Sequence, residues 1–330
     1  MVAGVLLVLS LIVLLAGALV FTNAIEWAGV RLNLGHSAVG SVLAAAATAL
    51  PEAFIFIVAI VRGREGDGIA VGAIAGAPFL LATLALALCG VAALVYRARR
   101  ESPWLRLGRH DSGPDLLVVV CALGASVAIG VVGIPALRIA GACILLAAYV
   151  VFTWRSVTRA RQAGGGDEPS ALFFDTTKDD PPTGLQVIVQ TLVSIGMLAG
   201  AAELFVGSVE HLANTLGVGA LTLTLVIAPL ATELPEQINS VLWIRQGKDL
   251  LAFGNITGAM VLQCTLLVAI GMAFTNWNLT APALLAILGA LAGAALGLIA
   301  ALRARRLSVP IIGCWAGMYI GGMTSIIALT

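Results

Sequence analysis

Charge is what this sequence has least of. Asp, Glu, Lys and Arg make up only 11% of its 330 residues, and the formal net charge is +1. That balance excludes a basic nucleic-acid surface and an acidic or basic field for steering charged macromolecules. Cysteine is sparse as well. Cys89, Cys121, Cys143, Cys264 and Cys314 stand singly in apolar runs with no CxxC pair, which excludes a disulfide framework and a zinc site. Also absent are an HExxH helix, a Ser/Lys or Ser/His pairing inside an apolar segment, and a glycine loop for phosphate. The expectation is a protein that is not an enzyme and holds no resident cofactor.

What the chain has in abundance is apolar length. Hydrophobic residues are 60% of it, mean hydropathy is +1.05, and runs long enough to cross a bilayer recur from end to end. The opening run "MVAGVLLVLSLIVLLAGALVF" has no basic n-region, so it reads as a first transmembrane helix and not as a signal peptide. Cutting at charged and Gly/Pro-rich breaks predicts ten spans, at about 2–22, 37–61, 68–95, 115–132, 135–153, 186–209, 219–244, 250–274, 280–302 and 308–328. They divide into a first five-helix unit (1–153), a linker loop (154–185) and a second five-helix unit (186–330). The loop is expected to be solvated, with Asp167, Glu168, Asp175, Asp179 and Asp180 keeping it so. With the N-terminus outside, fifteen Lys and Arg fall in cytoplasmic loops and three (Arg62, Arg64, Arg138) outside. This bias predicts both termini outside and the central loop cytoplasmic. Basic residues that are nearly all Arg, with abundant Ala, point to a bacterium, and so to its inner membrane. Trp104, Trp154 and Trp277 sit at span ends, as interfacial anchors do.

One pattern breaks the apolar monotony, and it occurs twice. "AAAATALPEAFIFIVAI" (44–60) aligns with "APLATELPEQINSVLWI" (228–244) at an offset of 184 residues, and "DGIAVGAIAGA" (67–77) aligns with "DLLAFGNITGA" (249–259). Alanine-rich helices match by chance, but Thr-x-x-Pro-Glu followed by Asp-x-x-x-x-Gly-x-x-x-Gly in both halves is specific. Five spans per half invert the second copy relative to the first. This is the inverted-repeat plan of secondary transporters, whose sites lie at the midplane between repeats.

The chemistry of Thr-x-x-Pro-Glu suits a cation. Pro51 and Pro235 free the carbonyls of Ala47 and Ala231, which hydrocarbon cannot satisfy. Thr48 with Glu52, and Thr232 with Glu236, are four residues apart and share a helix face. Facing each other, the two motifs assemble carboxylates, hydroxyls and freed carbonyls, the hard-oxygen set that Ca²⁺ takes. A bound cation also neutralises acids that are otherwise costly in a membrane. The bland alternative is a pair of proline kinks with hydrogen-bonded acids, and the repetition weighs against it.

At these residues the sequence resembles the cation/calcium antiporter superfamily, the sodium/calcium exchangers and their prokaryotic relatives. "ATELPE" (231–236) stands where the family has Gly-Thr-Ser-x-Pro-Glu, and "FGNITGAM" (253–260) where it has Gly-Asn-x-x-Gly-Ser-Asn or -Asp. The resemblance implies an all-α polytopic membrane protein of ten transmembrane helices in two inverted five-helix repeats. It implies secondary antiport of Ca²⁺ for Na⁺ or H⁺ across the plasma membrane by alternating access. Glu52 and Glu236 become central ion ligands, with Thr48, Thr232 and Asn255 beside them. The departures are as informative. Ala73, Ala77, Pro78 and Met260 occupy positions where the family places amide, hydroxyl or carboxylate oxygens. Glu233 replaces a serine and adds a carboxylate, and Gln263, one turn beyond Met260, offers an amide oxygen. Two rival readings stay open: a monovalent cation/proton antiporter on the same fold, and a cation sensor that transports nothing. The partners implied are inorganic cations and the lipid bilayer, with no nucleic acid.

Other polar residues carry blander expectations. Glu203 is read as a helix-packing hydrogen bond, Asn239 as a contact between helices, and both GxxxG segments, at 72–76 and 254–258, as close-packing faces. His36, His110 and His211 are assigned no role.

Overall fold

The computed structural model describes residues 2–31, 50–63, 67–99, 112–163, 170–175, 182–303 and 307–329. Ala47 and Thr48 lie outside the described residues, as do Trp104, Asp167, Glu168, Asp179 and Asp180. Regular structure among the described residues is entirely helical.

The first unit contributes α1 (Val2–Arg31), α2 (Leu50–Val61), α3 (Asp67–Leu80, running on through a π-helical turn at Leu81–Ala85 to Leu86–Val95), α4 (Ser112–Val132) and α5 (Pro135–Ala163). The second contributes α6 (Gly184–Leu216), α7 (Ala220–Thr232), α8 (Leu234–Arg245), α9 (Asp249–Leu262, through a π-helical turn at Gln263–Leu267 to Val268–Phe274), α10 (Ala281–Arg303) and α11 (Val309–Ala328). Eight of these helices are long and apolar enough to cross a membrane. Leu50–Val61 and Ala220–Thr232 are shorter apolar helices. α7 and α8 together form the single predicted span 219–244, broken at Glu233; of the expected span 37–61 only Leu50–Val61 is described, and the other eight correspond to the eight long helices.

Helix ends overrun the apolar segments because nothing at those points stops a helix. α1 continues to Arg31 and α5 to Ala163, which makes the start of the expected linker loop helical. α6 begins where the sequence supplies a capping box. Thr183 Oγ1 accepts from Gln186 N at 3.3 Å, and Gln186 Oε1 accepts from Thr183 N at 2.7 Å. It stops at Gly217, whose φ of 69° gives the left-handed cap.

α1 and α6 form the most extensive helix–helix interface, and α6 also packs on α2. The rest of the bundle is cross-braced between repeats. α3 packs against α7 and α10, while α9 packs against α4, and its π-turn against α5. The α3–α7 contact is close because Gly72 and Gly76 have no side chains. A Cβ at Gly72 would stand 2.5 Å from the Leu221 carbonyl oxygen, and one at Gly76 would stand 2.6 Å from that of Leu225. The first GxxxG is therefore a packing face, as expected. No described residue lies within 4 Å of a Cβ built at Gly254 or Gly258, so the second has no such partner among the described residues.

The central loop is not wholly solvated. Its segment Ser170–Asp175 docks into the groove between α1 and α6 at their loop-side ends, with Leu172 buried. Asn23 Nδ2 donates to the Ser170 carbonyl at 3.1 Å, and the Trp27 indole donates to the same oxygen at 2.9 Å. Gln190, fully buried, donates to Val20 O and Asn23 Oδ1, both at 2.9 Å, and accepts from Phe174 N at 3.0 Å. Asp175, expected only to keep the loop wet, accepts from Gln186 Nε2 at 3.2 Å. Sequence reading missed this because Asn23 and Gln190 look like isolated polar breaks in apolar helices. Replacing Gln190 with Leu leaves buried polar groups unpaired, a loss of about 1–3 kcal/mol. In a background without the exposed cysteines, a Ser170→Cys probe is then expected to react about tenfold faster with a water-soluble maleimide. Unchanged labelling would mean the network does not hold the segment.

Trp277 also departs from its expected anchoring role. It is buried at the turn after α9 with φ 50°, and its indole donates to Ser126 O at 3.2 Å. Trp154 is exposed on α5, as an anchor is.

Candidate functional site

The break between α7 and α8 builds the site. Pro235 has no N–H to return to the Ala231 carbonyl, so α7 ends at Thr232 and α8 restarts at Leu234 with Glu233 between them. This places Thr232, Glu233 and Glu236 on two successive turns around a discontinuity. All three are buried, at 1%, 2% and 5% exposure. Glu52 enters from the first turn of α2 and is 2% exposed. It stands beside the side chains of Thr232 and Glu233. Glu233 in turn lies within electrostatic range of both Glu52 and Glu236. Glu233 thus has two further carboxylates within range in a buried interior. Such a cluster is stable only with protons or a cation shared among its members.

The hydrogen bonds show which atoms remain available. Thr232 Oγ1 spends its single hydrogen on Ala228 O at 2.9 Å, so it offers lone pairs to the site. Neither carboxylate oxygen of Glu52 has a hydrogen-bond partner among the described residues, although Thr232 and Glu233 are its neighbours. Gln263, 1% exposed at the start of the α9 π-turn, donates its amide to Glu233 Oε1. Among the described residues its own Oε1 is buried without a partner. These acceptor oxygens meet no matching donor among the described residues, an arrangement that calls for a cation or protons. Among the described residues no three acidic, His or Cys side chains close into a metal cage.

Of the sequence-predicted residues, Glu52, Thr232, Glu233, Glu236 and Gln263 are brought together. The Ala231 backbone sits at the break. Ala47 and Thr48 fall outside the described residues. Asn255 is near but occupied: its amide nitrogen lies 3.4 Å from Glu236 O and 3.3 Å from Ser240 Oγ, linking α9 to α8. Ser240 itself was missed. It is fully buried one turn after Glu236, within 3.3 Å of Ala252 O, and its i+4 spacing from Glu236 was the available signal. Asn239, expected between helices, is exposed instead. Glu203 lies away from the site and pairs with Arg62 at 2.5 Å.

The paired π-turns were missed too. They begin at Leu81 and Gln263, an offset of 182 residues, the same as that between the starts of α3 and α9. Each carries a buried threonine at its third position, Thr83 and Thr265, which hydrogen-bonds back to Phe79 O and Val261 O respectively. Inverted symmetry therefore extends to a backbone irregularity in each half, of the kind often found beside functional sites.

Comparison with known proteins agrees with this geometry. The model of the family described as "Sodium/calcium exchanger protein" matches residues 2–158 and 186–327. The chain belongs to that exchanger family. Membership makes it a secondary cation antiporter of the ten-helix fold and bears out the resemblance read from Thr-x-x-Pro-Glu. A putative antiporter, CaxA of Alkalimonas amylolytica, is 24% identical over 280 residues, covering 82% of this chain and 80% of that protein. Among solved structures, the H⁺/Ca²⁺ exchanger CAX superposes with a TM-score of 0.72 at 19% identity, over 99% of this exchanger and 85% of CAX. YfkE gives 0.70 at 17% identity, over 99% and 92% of the two chains. The sodium–calcium exchanger NCX_Mj gives 0.58 at 17% identity, over 98% of each.

Proposed function

We propose that this exchanger moves Ca²⁺ against H⁺ across the inner membrane of a bacterium, with both termini outside and the central loop cytoplasmic. The observation that carries the reading is a lopsided site. Glu233 lies within electrostatic range of both Glu52 and Glu236, while Ala73, Ala77 and Met260, which replace the family's oxygen-bearing residues, are buried and apolar. Glu52, Glu233, Glu236, Thr232 and Gln263 supply oxygens for a single divalent ion. The apolar replacements leave Na⁺ without the additional hard-oxygen ligands it needs once dehydrated. Protons need only the carboxylates. The freed Ala231 carbonyl, and Ala47 with Thr48, complete the proposed shell. Alternating access follows from α1 and α6, which pack chiefly on each other and reach the site through α2.

The test is ⁴⁵Ca²⁺ uptake into proteoliposomes under an outward H⁺ gradient and, separately, an outward Na⁺ gradient. Uptake is expected with the first and not the second. Uptake with Na⁺ alone would overturn the assignment of the counter-ion. The pH dependence has a definite sign. Ca²⁺ binds only the ionised carboxylates, so its apparent affinity falls as pH is lowered and rises as pH is raised. Affinity that stays flat between about pH 5 and 9 would contradict proton competition.

A further inference from the structure

The groove filled by Ser170–Asp175 has a counterpart at the other end of the α1/α6 pair. The 184-residue offset maps Val20, Asn23 and Trp27 onto Leu204, Gly207 and His211, and Gln186 and Gln190 back onto Val2 and Leu6. Each of these counterpart residues lines a single cavity of about 560 Å³. The inverted repeat has made the same groove twice, on opposite faces of the membrane. On the loop side the chain's own strap occupies it. On the opposite side no described segment does.

The two copies have diverged in chemistry. Where Asn23 reaches out to the strap, Gly207 has no side chain, and the Arg62 guanidinium lies over it, with Nη2 3.3 Å from where a Cβ would be. Arg62 arrives from the end of α2 and pairs with Glu203 at 2.5 Å and Glu210 at 2.6 Å. One guanidinium faces two carboxylates, so the rim carries a net negative charge. Its accessible part is Glu203, whose side chain is 59% exposed against 27% for Arg62. The floor is apolar, with Val2, Leu6 and Leu204, and the cavity lies at the ends of spanning helices, the depth of lipid headgroups.

We infer that this groove binds a zwitterionic phospholipid with a primary ammonium, in the leaflet opposite the central loop. The ammonium donates to Glu203, the phosphate accepts from the remaining N–H groups of Arg62 and from His211, and the first methylenes lie on Val2, Leu6 and Leu204. The lipid takes the place that the strap takes on the other side, wedged between the two helices proposed to move. The site is independent of which cations are exchanged.

Native mass spectrometry of the detergent-solubilised protein tests this, using equal mixtures of phosphatidylethanolamine, phosphatidylcholine and phosphatidylglycerol with identical chains. Retention of phosphatidylethanolamine is expected to exceed that of phosphatidylcholine, which has no N–H, by about tenfold. Glu203→Gln should bring the two to parity. Gly200→Leu projects into the groove from a position where nothing lies within 4 Å of a Cβ. That variant should lose the lipid. Equal retention of phosphatidylethanolamine and phosphatidylcholine by the unmodified protein would overturn the inference. So would preferential retention that survives both substitutions, or a preference for phosphatidylglycerol.

Discussion

Glu52→Gln is expected to abolish exchange, lowering ⁴⁵Ca²⁺ uptake at least about 100-fold while the protein remains folded. Glutamine keeps the shape of the side chain and removes only its charge. Glu52 is the one acid that the described part of the first repeat sends to the site, and neither of its oxygens has a hydrogen-bond partner among the described residues. Removing one member of a buried charge set typically costs about 3–5 kcal/mol, and 1.4 kcal/mol is a factor of ten, so a loss of about 10²–10³ in cation affinity follows. The sign for stability is opposite. Without a cation, Glu52 repels Glu233, so the neutral variant should unfold at the same temperature as the unmodified protein or higher. A thermal scan without Ca²⁺ and an uptake assay thus separate loss of function from loss of fold. Uptake within tenfold of the unmodified protein would remove Glu52 from the site and leave the second repeat to carry the cation alone. Thr232→Val, which removes one lone-pair donor and no charge, should fall between the two.

Much of the architecture was legible because a membrane span has few ways to be written. Apolar runs of bilayer length must be helices, and the duplicated Thr-x-x-Pro-Glu located the site by naming groups that hydrocarbon cannot hold. Glu52 in the first repeat, and Glu233 with Glu236 in the second, were singled out this way, and the fold brings these two stretches together. What stayed hidden depends on partners far away in sequence. Asn23 and Gln190 are 167 residues apart, and nothing local shows that they share a hydrogen bond with each other and a strap with the loop. Trp277 sits at a span end like any interfacial tryptophan, yet the turn at φ 50° folds it inward onto Ser126. The π-turns insert an extra residue with no proline or glycine within them, and Pro78, one turn before the first, has no counterpart before the second. Only the recurrence of Thr83 and Thr265 at one offset could have pointed to them.

The second large effect is expected far from any charge. Gly76→Ala adds one methyl group, but its Cβ would fall 2.6 Å from Leu225 O and 2.7 Å from the Pro229 ring. Neither neighbour is the loose end of a side chain. The Leu225 carbonyl lies four residues before Pro229, which has no N–H to give it, so the oxygen is turned toward α3 and relies on the close approach that glycine permits. To admit the methyl, α7 must move away from α3. Overpacking of this kind costs about 1–3 kcal/mol or more. The consequence for function is larger than for stability, because the C-terminal end of α7 is Thr232, and Glu233 follows it. A shift of α7 carries both away from Glu52. Gly76→Ala is therefore expected to lower the unfolding temperature by several degrees and Ca²⁺ uptake by more than about tenfold. Gly313→Ala, where nothing lies within 4 Å of the new atom, should change neither. If Gly76→Ala unfolds and transports like the unmodified protein, the α3–α7 contact does not set the position of the site. The two repeats would then be coupled through α10, which packs on α3 and α4, and through α9 on α4.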